Sequence, residues 1–282
     1  MRLALVALAA AMTACWTREG AEGRRYPLTG TVVGHEASPS RVVVAHEAVA
    51  GLMPAMSMPF EVAGAAPATR DGDRIAATLV VTTTRSWLED VKITAASSVP
   101  ARGVAAVRSA APGVLVPPLA LIDQRGQPFT LQSFAGRVLV VTFIYTRCPL
   151  PDFCPLMVAH LESVRQRANQ AGLGGRLAVL GVTLDPAYDT PAVLQAFGES
   201  RLKGERRFDQ WTLATGTLAQ VESVASLFGV RHQNVNGTVT HTLSTAVVGH
   251  DGRIMRVFDS NSWRPDELFD VVSRGVERAS AE

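Results

Sequence analysis

Between Tyr26 and about Ala96, apolar and polar positions alternate in short runs: LTGTVVGHE, RVVVAHEAV, MSMPFEVAG, DRIAATLVVTTT and SWLEDVKITA, broken by SPS and DGD. A period of two sends successive side chains to opposite faces of a strand, so these runs predict five short strands, each with one buried face. With no helical period between them, they predict a small all-β, OB-like barrel over residues 26–95, because closure removes the unpaired edges of an open sheet.

The pattern then lapses. ASSVPARGVAAVRSAAPG is rich in Ala, Ser, Pro and Gly and lacks large apolar residues, so residues 96–113 read as a linker. Beyond it, strand-like and helix-like segments alternate: RVLVVTFIY, CPLMVAHLESVRQRANQAG, RLAVLGVTLD, TPAVLQAFGESR, WTLAT, TLAQVESVASLFGV, the pair TLSTAVVGH and GRIMRVFD, and RPDELFDVVSRGVERA. Continuous apolar strands between amphipathic helices predict an α/β domain over 114–282, with a mostly parallel sheet covered on both faces.

Composition agrees with two cores: the 282 residues are 47% hydrophobic and 18% charged. The net charge of +2, without a dense basic block, gives no electrostatic footprint for nucleic acid. The opening MRLALVALAAAMTAC has a charged start, an apolar stretch and small residues before Cys15. It resembles a bacterial lipoprotein signal over residues 1–14, with Met12 where Leu is usual. The expectation is cleavage before Cys15, acylation of that cysteine, and a short tether over 15–25 leading to a periplasmic, membrane-anchored protein.

Three cysteines occur in the chain, so a lipid on Cys15 leaves Cys148 and Cys154 as each other's only thiol partner. They stand in CPLPDFC, where a buried strand ends and a helix begins, the edge at which α/β sheets gather ligands. Positive partial charge at a helix N-terminus favours thiolate over thiol. Outside the cytoplasm such a pair is a structural disulfide, a redox couple or a soft-metal site, and a short-loop disulfide would stabilise by roughly 2–3 kcal/mol.

A second constellation, HEAVAGLMPAMSMPF, holds His46, Met53, Met56 and Met58, three of the chain's seven methionines within six residues. On a strand Met56 and Met58 share a face, so two thioethers can converge on a Cu(I)- or Ag(I)-like ion. Methionine also fills apolar cores, which is the plain alternative.

FIYTRCPLPDFCP, TLDPAYDTPAVLQAF and THTLSTAVVGHDGRI, in this order, resemble the Sco/SenC family, thioredoxin-fold copper proteins tied to cytochrome c oxidase assembly. The resemblance implies a thioredoxin-like fold and copper held by Cys148, Cys154 and His241, although five residues rather than three separate the cysteines. Asp185 in TLDP is a candidate to support the ligands from behind, whereas Asp189 and Thr190 read as a helix cap and Asp152 as solvated loop. Two thiolates and an imidazole suit copper, with zinc the competing ion.

The barrel segment is similar to CusF-like periplasmic copper- and silver-binding proteins. That similarity implies His46, Met56 and Met58 as ligands, with Met53 where a stacking tryptophan is expected; Trp87, in the SWLEDVK strand, reads as barrel core rather than a replacement lid. Together the resemblances imply a metallochaperone whose partner is a copper-bearing subunit of cytochrome c oxidase or another periplasmic copper protein. The alternatives are a thiol–disulfide oxidoreductase using Cys148 and Cys154, and copper or silver sequestration for tolerance.

Overall fold

The computed structural model describes residues 23–35, 41–64, 67–96, 109–204, 207–230, 232–235, 238–241, 243–258 and 263–281, with only the main chain of 232–235, 238–241 and 281. The expected signal and Cys15 lie outside these residues.

The alternating runs form β1 (Arg24–His35), β2 (Arg41–His46), β3 (Met56–Glu61), β4 (Arg74–Val81) and β5 (Ser86–Ala95). They pair antiparallel in the order β3-β2-β1-β4-β5, and a bridge between Val62 and Leu88 joins the two ends into a barrel. The inward period-two positions Leu28, Val32, Val44, Phe60, Ile75, Leu79 and Leu88 are buried and fill it. β1 begins inside the expected tether.

The second half supplies β6 (Ala120–Asp123), β7 (Pro128–Thr130), β8 (Val138–Ile144), α1 (Cys154–Gln170), β9 (Leu177–Thr183), α2 (Pro191–Arg201), β10 (Trp211–Thr215) and α3 (Leu218–Leu227). It continues with β11 (His232–Val235), β12 (Thr238–His241), β13 (Thr245–Val248), β14 (Ile254–Phe258) and α4 (Pro265–Ala281). Its sheet runs β14-β13-β8-β9-β10-β6-β7. Only β8, β9 and β10 are mutually parallel, so the sheet is mixed rather than mostly parallel. Two tight hairpins account for the edges: turns containing Gly126 (φ 80°) and Gly252 (φ 77°) reverse the chain there, and such short connections permit only antiparallel pairing; β13 against β8 and β6 against β10 are antiparallel as well.

Every residue of β8 and β9 is buried, because helices cover both faces. Val138, Val140 and Ile144 pack with Met157, Val158 and Leu161 of α1 and Leu268 and Val272 of α4. Leu139, Val141 and Phe143 enter the opposite core, with Val221, Val224 and Phe228 on the α3 side.

The two halves are not beads on a free tether. The end of the expected linker is bonded to the α/β domain, Ala110 N–H donating to Leu227 O at 2.9 Å and Gly113 N–H to Ile254 O at 2.7 Å. More directly, the β11/β12 hairpin leaves its own sheet and pairs with the barrel: β12 runs parallel to β3, with Val239 opposite Met56 and Thr240 opposite Ser57. A continuous apolar cluster includes Met56, Met58 and Phe60 of the barrel with Tyr145, Leu150 and Phe153 of the α/β domain. His241 therefore ends β12 instead of opening the strand that contains TLSTAVV, as the pattern suggested. Leu243 and Ser244 intervene before β13, the Ser244 hydroxyl donating to Phe228 O at 2.8 Å.

Candidate metal centres

β8 delivers the chain to Tyr145, and Cys148 follows in a turn whose N–H donates to Tyr145 O at 3.2 Å. The residues between the cysteines fold inward: Leu150 and Phe153 are buried at 0% and 2% exposure. Their burial draws the longer gap into a compact turn, and Cys154 opens α1 with Pro155 in its first turn, where an absent N–H costs nothing. Both cysteines are free thiols, Cys154 buried and Cys148 half-buried. Despite the five-residue gap their sulfurs hydrogen-bond each other.

The pair is electrostatically unequal. Burial pushes the Cys148 thiol up, but hydrogen bonds from the Cys154 thiol, the Cys154 and Leu150 main chain and the Tyr145 hydroxyl outweigh it, and the net shift is down. Cys154 moves up, because its proton is held by Cys148 and because it is buried. Cys148 is thus the sulfur that ionises first, and Cys154 the donor that steadies it.

In the barrel, β2 and β3 set His46 directly opposite Met56 and Val44 opposite Met58. Cross-strand partners share a face, so His46, Met56 and Met58 lie on the inner side together. All three are buried at 2% exposure. His46 Nδ1 lies 2.7 Å from Glu47 O, and since a carbonyl only accepts, Nδ1 carries the proton. Burial lowers the imidazole pKa, against the raising influence of the Glu47 bond, so the ring is neutral. Its Nε2 lone pair is buried and meets no hydrogen-bond partner among the described residues. A neutral imidazole with an unclaimed lone pair beside thioethers is a donor set suited to a soft cation. Met53 is buried and closes the preceding loop through reciprocal main-chain bonds with Val49 at 2.9 and 3.1 Å.

Between the centres stands Tyr145. Its hydroxyl is 3.8 Å from Met56 Sδ and also hydrogen-bonds the Cys148 sulfur. Burial first, then the adjoining cysteine sulfurs, hold this phenol neutral, so it stays a donor.

Two family models divide the chain at this interface. The SCO1/SenC model matches residues 108–277, more than half of the sequence. The chain belongs to the SCO1/SenC family. Residues 25–93 match the model described as copper binding periplasmic protein CusF. Among curated relatives, the SCO1 protein homolog of Bacillus subtilis is 27% identical over 164 residues, covering 56% of this chain and 81% of the relative. A SCO1/SenC family lipoprotein from Bacillus anthracis has a similar fold, with a TM-score of 0.52 at 22% identity over 60% of this chain and 99% of that one. Arabidopsis thaliana ScoI with copper bound gives 0.50 at 18% identity, over 58% of this chain and 99% of that one. The α/β half of this Sco protein is accordingly thioredoxin-like.

The remaining candidates of the Sco protein fall as follows. Asp185 pairs with Arg147, the residue before Cys148, at 2.5 Å. Thr190 caps α2, accepting from Val193 N–H at 3.4 Å, but Asp189 is no cap. It is fully buried and accepts from Thr146 N–H at 3.1 Å, from the Thr146 hydroxyl and from the Thr183 hydroxyl at 2.5 Å. It thereby ties the residues before Cys148 to the end of β9. Asp152 is not solvated loop either: it accepts from Ser86 N–H at 3.1 Å and Ser86 Oγ at 2.8 Å, a bond between domains.

Trp87 is nearly buried, covered by Arg85 at 4.7 Å and bonded through Nε1 to Glu89. The side chain of His241 lies outside the description. Among the described residues no three His, Cys, Asp or Glu side chains cluster as a metal site. Tyr145, Asp189 and Ser86 are the residues sequence reasoning missed. Only Tyr145, in FIYTRC immediately before the first thiol, carried a visible signal.

Proposed function

We infer that the chain is a membrane-anchored periplasmic copper metallochaperone with two sites. The copper-binding families matched by both halves support this reading. The observation that carries it is the pair of free, hydrogen-bonded thiols at the carboxyl end of β8, one biased toward thiolate. In the reading, copper is cargo held by Cys148 and Cys154, with His241 completing a three-donor site. Soft thiolates favour Cu(I), the imidazole also tolerates Cu(II), and an open position admits a recipient's ligand during release, whereas structural zinc takes four ligands. His46, Met56 and Met58, with Met53 adjoining, form the capture site. The recipient is a copper-bearing subunit of cytochrome c oxidase, and acylation of Cys15 holds the protein at the membrane.

The test is anaerobic Cu(I) titration of the reduced full chain against a chromogenic chelator. Wild type should bind two ions, Cys148→Ser with Cys154→Ser one fewer, and His241→Ala should weaken the thiol site. Two unequal thiols in hydrogen-bond contact also favour a second reading, thiol–disulfide oxidoreduction, in which Cys148 attacks and Cys154 resolves. Unchanged copper affinity in His241→Ala, together with efficient turnover of a disulfide substrate, would select it. Mass spectrometry of the mature N-terminus tests the lipid.

A further inference from the structure

We propose that the methionine site hands Cu(I) directly to the thiol pair across the domain interface, along the contact from Met56 past Tyr145 to Cys148, without release to solvent. The proposal rests on the two-site reading above. Three independent features place the centres edge to edge. One hydroxyl, that of Tyr145, is within hydrogen-bond reach of a sulfur from each centre: Met56 Sδ at 3.8 Å and the Cys148 sulfur. The hairpin that ends in His241, the expected third ligand of the thiol site, is hydrogen-bonded into the barrel beside β3, with Thr240 opposite Ser57, between Met56 and Met58. Main-chain pairing of this kind docks a segment in a defined register. Finally, Asp152, within the CPLPDFC turn, is locked to Ser86 of the barrel through both its amide and its hydroxyl.

The interface is also apolar: Met56, Met58, Tyr145, Leu150 and Phe153 belong to one buried cluster. In the proposal, an ion leaving the thioethers on that side passes the Tyr145 hydroxyl to reach the Cys148 sulfur. The exchange is downhill, since anionic thiolates hold Cu(I) more strongly than neutral thioethers and imidazole. Bonds to Met56, Met58 and His46 are given up as bonds to the Cys148 and Cys154 sulfurs and, in the two-site reading, to His241 form, and the thiol protons leave to bulk water. Copper remains Cu(I), so no electron donor or acceptor is required.

The experiment mixes the reduced, anaerobic full chain with half an equivalent of Cu(I) in a stopped flow and follows thiolate-to-copper charge-transfer absorbance at several protein concentrations. The expected trace has a concentration-dependent capture phase without thiolate absorbance, then a rise whose rate does not depend on concentration. At micromolar protein, an effective concentration of roughly a millimolar makes the internal step on the order of a hundredfold or more faster than exchange between molecules. Met56→Leu with Met58→Leu, which preserves volume, should leave one slower, concentration-dependent rise. Ser86→Ala with Asp152→Asn, which loosens the docking and touches neither set of ligands, should slow the second phase alone.

A single concentration-dependent rise, equal in wild type and the methionine variant, would overturn direct hand-over while leaving copper on the thiols intact. Absence of the charge-transfer band from wild type would remove the thiol-site reading itself, and the proposal with it.

Discussion

Asp189→Ala isolates what holds the thiol loop in place. The carboxylate is fully buried and accepts three hydrogen bonds, from the Thr146 amide and hydroxyl and from the Thr183 hydroxyl. Leaving a buried donor without a partner costs about 1–3 kcal/mol. The two hydroxyls can rotate toward other acceptors, but the Thr146 amide cannot. Against that loss stands a relief, since burial raises the Asp189 pKa, which means the charged form is itself held at a cost. The net expectation is a destabilisation of about 3 kcal/mol in urea unfolding, and about half as much for Asp189→Asn, which keeps one acceptor.

The same substitution frees the residues two before Cys148, and loss of such supporting contacts typically lowers metal affinity by about 10–100-fold. Copper affinity should fall with stability. A stability loss below about 1 kcal/mol would show that water or neighbouring groups satisfy these donors, and would refute the assignment of Asp189 as the tie between the loop and β9.

Three further outcomes follow from other positions. Glu162 accepts from Arg165 at 2.5 and 3.0 Å and from Trp211 Nε1 at 3.2 Å beneath α1, so Glu162→Ala, which removes the guanidinium's carboxylate and leaves it Gln210 Oε1 and Lys203 O, should cost about 3 kcal/mol in chemical unfolding. His160 stacks edge-on with Trp263 at 5.3 Å and burial lowers its pKa, so the unfolded chain takes the proton more readily. Its stabilising contribution is complete above pH about 6.5 and is lost as pH falls through the lower folded value, so His160→Phe should flatten the decline of melting temperature between neutral pH and pH about 5. Gly30 faces His46 across β1 and β2, and a Cβ there would sit 2.6 Å from Ala45 O and 2.8 Å from His46 Cα. Gly30→Ala should therefore cost about 1–3 kcal/mol and reduce copper bound per chain in a titration, by displacing the imidazole.

What could be read from the chain was whatever leaves a periodic or compositional mark. A period of two showed the barrel strands, and continuous apolar runs showed β8 and β9, because burial selects side chains directly. The thiols and the methionines were visible as rare residue types in dense clusters. Main-chain pairing leaves no such mark: nothing in THTLSTAVV distinguishes a hairpin that joins the barrel at Met56 and Ser57 from the start of β13. Asp189 was hidden for a related reason. An aspartate between turn residues and a capping threonine has the composition of a surface cap, and only the return of the chain past Thr146 and Thr183 buries it.

The domain contact also accounts for the unusual length of CPLPDFC. Two functions have to be served by one turn: the cysteine sulfurs must meet, and the turn must grip the barrel. A shorter gap can close the sulfurs but has little room for anything else. Here Leu150 and Phe153 join the shared apolar cluster while Asp152 reaches Ser86, so three of the five residues between the cysteines are anchored. That arrangement makes the register of the thiols depend on the barrel being docked. Removing the anchor at Ser86 should then be felt at Cys148 and Cys154, as a rise in their alkylation rate, even though no barrel residue touches a cysteine through that bond. An unchanged rate in Ser86→Ala would mean that the turn holds its shape unaided and that its extra length serves another purpose.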